Sequence, residues 1–175
     1  NVYVERDDAT NANRYLTFVD SSTAGNQRLN MDTNLTYNPS TNVLGTTALQ
    51  AKYADVAERY ETDGANEAGT IMVFGGEKEV TASTKFAQTK VAGVISDKPA
   101  YAMNSDAGSD ETHPYIALQG RVPCKVVGKV RKGDIIVASE YEGVGQSWSN
   151  EEIDPRMTAY VGIAIADKDT ESVGL

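Results

Sequence analysis

One stretch, residues 46–62 (TTALQAKYADVAERYET), carries a helical period, and it constrains the fold more than any other part of the chain. Leu49, Tyr53, Val56 and Tyr60 recur at steps of four, three and four, the seam spacing of a heptad repeat. Ala48, Ala51, Ala54 and Ala57 add helix propensity and permit close approach. Thr47 and Gln50 have the spacing of a capping box, in which each side chain bonds an otherwise unpaired backbone N–H. Gly64 can end the helix. The pattern predicts a helix over 46–62. A helix this short is marginal alone in water, so it has to pack on its own domain or on copies of itself.

The segment before it, residues 1–45, reads as an arm of short strands. The β-prone runs are 2–4, 14–19, 29–31 and 35–37, with Val43 and Leu44 leading toward the helix. Ala24-Gly25-Asn26 and Asn38-Pro39-Ser40-Thr41-Asn42 are turn signals. Large apolar residues are sparse here, and strands so short do not make an independently stable sheet. Such strands are safe when they pair with or wrap around other chains, which points to an oligomeric fibre. A β-appendage packed on the remainder of a monomer is the alternative.

Beyond Gly64 the pattern changes to period two. Strands are expected at 70–74, 79–83, 90–96, 115–118, 121–127, 134–138 and 158–166, separated by Gly- and Pro-bearing turns. Many short strands with spaced glycines suggest a compact β-barrel or sandwich rather than βαβ units. The expected architecture is therefore mainly β: an arm (1–45), a helical linker (46–62) and a β-rich head (63–175).

Composition narrows the function. The 175 residues are 40% hydrophobic and 23% charged, as in a globular protein, and the formal net charge is −9. That charge repels nucleic acid and anionic membranes. The nearest basic cluster, Arg121, Lys125, Lys129, Arg131 and Lys132, is interleaved with valines and reads as solvated strand faces. No apolar run reaches the ~18 residues of a membrane span. The single cysteine, Cys124, leaves no intrachain disulfide, and one His with one Cys makes no ordinary zinc site. No metal or other cofactor is expected. The chain begins at Asn1 and ends after Val173 in an apparent unfinished strand, which reads as a piece of a longer protein.

Residues 16–60 show a recognisable pattern: Val19-Asp20, then Leu29, Asp32 and 35–41 (LTYNPST), then 51–60 (AKYADVAERY). It resembles the linker of tail-fibre and other virion structural proteins of tailed bacteriophages, particularly cyanophage-like ones. The head resembles the C-terminal domain of phage fibre and neck-appendage proteins, an intramolecular chaperone that in some members cleaves itself off after trimerisation. Tyr53-Ala54-Asp55 with Glu58, Gly69, 91–96 (VAGVIS), Gly120-Arg121-Val122 and Gly133-Asp134 carry that likeness. The Ser-Asp-x-Arg-x-Lys signature of another self-cleaving phage family is absent.

The resemblance implies a non-enzymatic virion component made in the host cytoplasm: a homotrimer, with other virion proteins as partners. Leu49, Tyr53, Val56 and Tyr60 would form its trimer seam. Two alternatives remain, an autoproteolytic chaperone domain and a carbohydrate-binding adhesin. Tyr141 and Trp148, with Glu140, Glu142 and Asn150 nearby, could contact a host surface glycan. His113, Cys124, the acidic group Asp106, Asp110 and Glu111, and the Ser21-Ser22 and Asn104-Ser105 pairs form no legible catalytic or metal constellation.

Overall fold

The computed structural model describes residues 6, 9–19, 21–47, 49–148 and 159–175. The expected strand at 2–4, and Asp20, Ala48, Asn150 and Thr158 among the residues singled out above, lie outside this set. The chain divides into two compact units, Asn1–Gln50 and Ala51–Leu175.

The first unit is a three-stranded antiparallel meander of β1 (Arg14–Val19), β2 (Leu29–Asn38) and β3 (Val43–Gly45). Its tightest corner is the Asn-Pro-Ser-Thr-Asn turn. Asn38 Oδ1 accepts the N–H groups of Ser40 (3.1 Å) and Thr41 (3.3 Å). Asn42 sits at φ 56°, a left-handed conformation that Asn tolerates, and its Oδ1 accepts the Tyr37 hydroxyl at 2.7 Å.

The second unit holds two sheets. One has six strands in the order β6-β5-β7-β9-β4-β8. They are β4 (Asp55–Arg59), β5 (Ile71–Phe74), β6 (Val80–Ala82), β7 (Val91–Ile95), β8 (Tyr101–Met103) and β9 (Tyr115–Gly120). The other has four, in the order β10-β12-β11-β13: β10 (Val126–Val127), β11 (Ile135–Ala138), β12 (Gly145–Trp148) and β13 (Tyr160–Ile163). Among the described residues no sheet closes into a barrel, so the expected barrel or sandwich is met in its β content but not as a closed barrel. Of the expected strand at 121–127 only the two-residue β10 forms.

Among the described residues, the buried aliphatic side chains lie between Ala57 and Ala159. Met72, Val80, Ala82, Ile95 and Ile116 form one cluster, with Tyr60 and Ala92 against it. Val126, Val130 and Ile136 form another, with Cys124, Val161 and Ala164. Ile71 and Ile136 both crowd the space beside Gly145. At Gly93 (φ 153°) a Cβ would stand 2.1 Å from the Ala117 carbonyl, so β7 and β9 approach as closely as they do only with glycine there.

The expected helix over 46–62 is absent, and no helix occurs among the described residues. Its central part is instead β4, an inner strand paired antiparallel with β9 and parallel with β8. The same letters satisfy period two. Asp55 and Ala57 are buried, Val56 is exposed between them, and the Tyr60 hydroxyl reaches back to Glu58 at 3.0 Å. Two flanking ladders satisfy the backbone groups of β4 and bury Ala57 completely. A lone short helix offers no such return, so tertiary pairing overrides the alanine-rich propensity.

Candidate functional site

The feature of the first unit most in need of explanation is an apolar sheet face without cover. Thr17 pairs with Met31 and Val19 with Leu29, which sets these four side chains on one face, while Phe18 and Asn30 face the other way. Leu29 is 65% exposed and Met31 58%. On β3, Leu44 pairs with Tyr37 and Val43 with Asn38, and Leu44 and Val43 are also exposed. Every residue of β1 is exposed. Among the described residues of this unit only Pro39 is buried. A sheet becomes stable by covering its apolar face, and fully burying a Leu or Met side chain contributes about 1.5–3 kcal/mol. The alternating Leu29-Asn30-Met31-Asp32 run was the sequence signal for this face; that it has no cover within the unit was not legible.

The four residues expected to form a seam do not share a helical stripe. Leu49 belongs to the first unit and is 82% exposed. Tyr53 and Val56, in the second, are also exposed. Tyr60 is half-buried on the Met72 cluster, its ring edge-on to Phe74 at 5.7 Å.

Tyr141 and Trp148 are likewise set apart. Tyr141 lies in the turn 139–144 joining β11 to β12, whereas Trp148 ends β12 opposite Ile135, the first residue of β11. About 10 Å of strand runs from Gly145 to Trp148. Phe86 is exposed in the loop 83–90 between β6 and β7, which is tied to the same hairpin. Two backbone hydrogen bonds hold this loop to the hairpin, Ala87 N–H to the Ala138 carbonyl at the end of β11 and Gly143 N–H in the turn to the Ser83 carbonyl, each 2.8 Å. A lone Phe in the polar run STKFAQTK was the only sequence hint of this position.

The remaining candidates resolve into structural roles. His113 lends its carbonyl to the Arg59 guanidinium, which also pairs with Asp110 at 2.8 Å and lies 4.0 Å over the Tyr115 ring. The imidazole Nδ1 stands 3.1 Å from Thr112 Oγ1. Burial pushes the Cys124 thiol up to about 12, so it is not a thiolate at neutral pH. Asn104 adopts φ 55°, and the hydroxyl of the following Ser105 accepts from the Tyr115 hydroxyl at 3.1 Å. Of the basic cluster, Lys125 pairs with Glu67, Lys129 with Glu171 and Arg131 with Asp169. Among the described residues no group of His, Cys, Asp and Glu could hold a metal ion. Searches of protein-family models, curated proteins and solved structures return no match to this chain.

Proposed function

We propose that this chain is a homotrimeric structural module of a tail-fibre-like virion protein, in which the first unit folds by packing against the same unit of sister chains. The observation that carries this is the apolar face of Leu29, Met31, Thr17 and Val19, which has no cover of its own. A sheet with so little core needs its partner whenever it is folded. A copy of the same chain is the partner always present in matching amount. The count of three, the virion setting and the companion virion proteins come from the resemblance over residues 16–60 and 50–166. Leu49 in the first unit, and Tyr53 and Val56 in the second, are exposed apolar side chains that sister chains could also cover.

Multi-angle light scattering on the whole chain tests this directly. A mass of three chains is expected, falling toward one in a Leu29→Asp, Met31→Asp variant whose second unit still melts cooperatively. A single-chain mass for the natural sequence would remove the reading. Self-cleavage is the distinct alternative, favoured by one observation, the left-handed Asn104 ahead of a hydrogen-bonded Ser105. It would show as two fragments meeting at 104–105 on a denaturing gel, and an intact band excludes it.

A further inference from the structure

The second unit holds a cavity of about 490 Å³, within the ~300–1,000 Å³ range of small-molecule sites. Both of its sheets contribute: Val94 from β7, and Val126, Ile136 and Val161 from β10, β11 and β13. Val126, Val130 and Ile136 line it from the buried core. Ile163, Ile165 and Leu175 line it too, yet are 62%, 63% and 74% exposed, so the cavity runs from core to surface.

The space arises because one face of the four-stranded sheet is packed unevenly. At Gly145, on β12, a Cβ would stand 2.8 Å from Ile136 Cγ2 and 3.0 Å from Ile71 Cδ1. Gly162 pairs with Ile136 from the other side, on β13, so a Cβ there would share the Ile136 face. It would meet nothing within 4 Å, and the backbone at 162 has no positive φ that calls for glycine. The missing side chain at 162 therefore leaves room beside Ile136.

The lining selects the ligand. Among the described residues no aromatic, hydroxyl, amide or imidazole side chain lines the cavity, so a sugar or nucleotide would lose hydrogen bonds to water without replacing them. Cys124 also lines it, as a neutral thiol. Three charged residues complete the lining, two cations and one anion. The Lys168 ammonium is taken up by the carbonyls of Gly128, Thr170 and Ser172, at 2.9, 2.7 and 2.6 Å. Asp167 Oδ1 accepts the Lys132 N–H at 2.7 Å. Arg121 is exposed, and its guanidinium has no ion pair or hydrogen bond among the described residues.

We propose that this cavity binds a fatty acid, with the alkyl chain against Val126, Ile136 and the open space at Gly162 and the carboxylate on the Arg121 guanidinium. An aliphatic wall gains from each buried methylene, and a guanidinium fork matches a carboxylate in bidentate geometry. The site lies wholly in the second unit and does not rest on the trimer reading.

The test is isothermal titration calorimetry of the whole chain with decanoate below its micelle concentration, and with octanoate, decanol and decyltrimethylammonium as comparisons. Saturable binding of one decanoate per chain is expected, with octanoate weaker on the order of tenfold, the effect of two methylenes. Arg121→Gln should weaken decanoate about tenfold and leave decanol unchanged. Gly162→Leu should weaken both ligands at least tenfold without lowering the melting temperature, and Gly162→Ala should do so to a smaller degree. The Leu29→Asp, Met31→Asp variant should bind decanoate as the natural chain does, which separates the cavity from the apolar face of the first unit. The proposal fails if decanoate binding is not saturable, if decyltrimethylammonium binds as well, or if Arg121→Gln and both Gly162 variants leave it unchanged. It also fails if acetyl-leucyl-leucine binds more tightly than decanoate, which would make the cavity a peptide groove, or if Gly162→Leu changes the light-scattering mass, which would make it an interface between copies.

Discussion

The two units are built from the same kind of short antiparallel strand and differ in where their apolar side chains go. In the second, Ile71, Met72, Val80 and Ile116 are fully buried within their own unit. In the first, Leu29, Met31, Val43 and Leu44 are more than half exposed although each sits at a paired position of its ladder. Hydrogen-bonded pairing therefore specifies a sheet without supplying its stability. That comes from covering a face, which the second unit does for itself and the first does not.

The sharpest way to break this contrast is at Gly93. Gly93→Ala would drive a methyl group into the Ala117 carbonyl at a backbone angle L-residues avoid. It should cost several kcal/mol, on the order of 4 or more, and abolish the cooperative melt of the second unit. Next comes a matched pair of truncations. Ile116→Ala removes a fully buried side chain and should cost about 2–5 kcal/mol in thermal or urea unfolding at any protein concentration. Leu29→Ala should cost under ~0.5 kcal/mol in dilute solution, since Leu29 is 65% exposed, yet lower the fraction of the proposed trimer at high concentration. Equal, concentration-independent losses at both positions would erase the distinction between the units.

A smaller effect of opposite sign is expected at Ala87. Replacing it with glycine relieves the φ 48° strain and should stabilise the second unit by about 0.5–1 kcal/mol, read as a higher urea midpoint. The smallest is electrostatic. Asp134 is held below the usual carboxylate value by the Arg131 N–H (2.8 Å) and the Ser147 hydroxyl (2.7 Å). Its folded pKa is depressed, so its contribution is present above the unfolded value near ~3.9 and is lost as pH falls through the folded value. Asp134→Asn should flatten the fall in melting temperature between about pH 5 and 2. An acid limb with unchanged slope would remove Asp134 as a contributor.

Much of the strand content was readable. The expected strand at 14–19 matches β1, and the runs at 70–74, 90–96 and 134–138 contain β5, β7 and β11 almost entirely. Alternation and turn residues are local properties, and they survive in the fold. β8 and β12 escaped because Tyr-Ala-Met and Gly-Gln-Ser-Trp are too short to show a period. The pairing of Tyr141 with Trp148 was not legible, because the first lies in the turn of the β11–β12 hairpin and the second at its open end.

Residues 46–62 show where local information ends. The sequence by itself determined a mainly β chain with defined turns, an acidic charge and an apolar row on β2, because each follows from side-chain chemistry over a few residues. It left residues 55–59 compatible with a heptad and with period two at once. The choice fell to β8 and β9, distant in sequence, whose ladders satisfy the backbone of β4 and bury Ala57 from both sides. Long-range pairing can outweigh helix propensity because one strand gains two rows of hydrogen bonds and a packed face, while a short isolated helix gains neither partner nor cover.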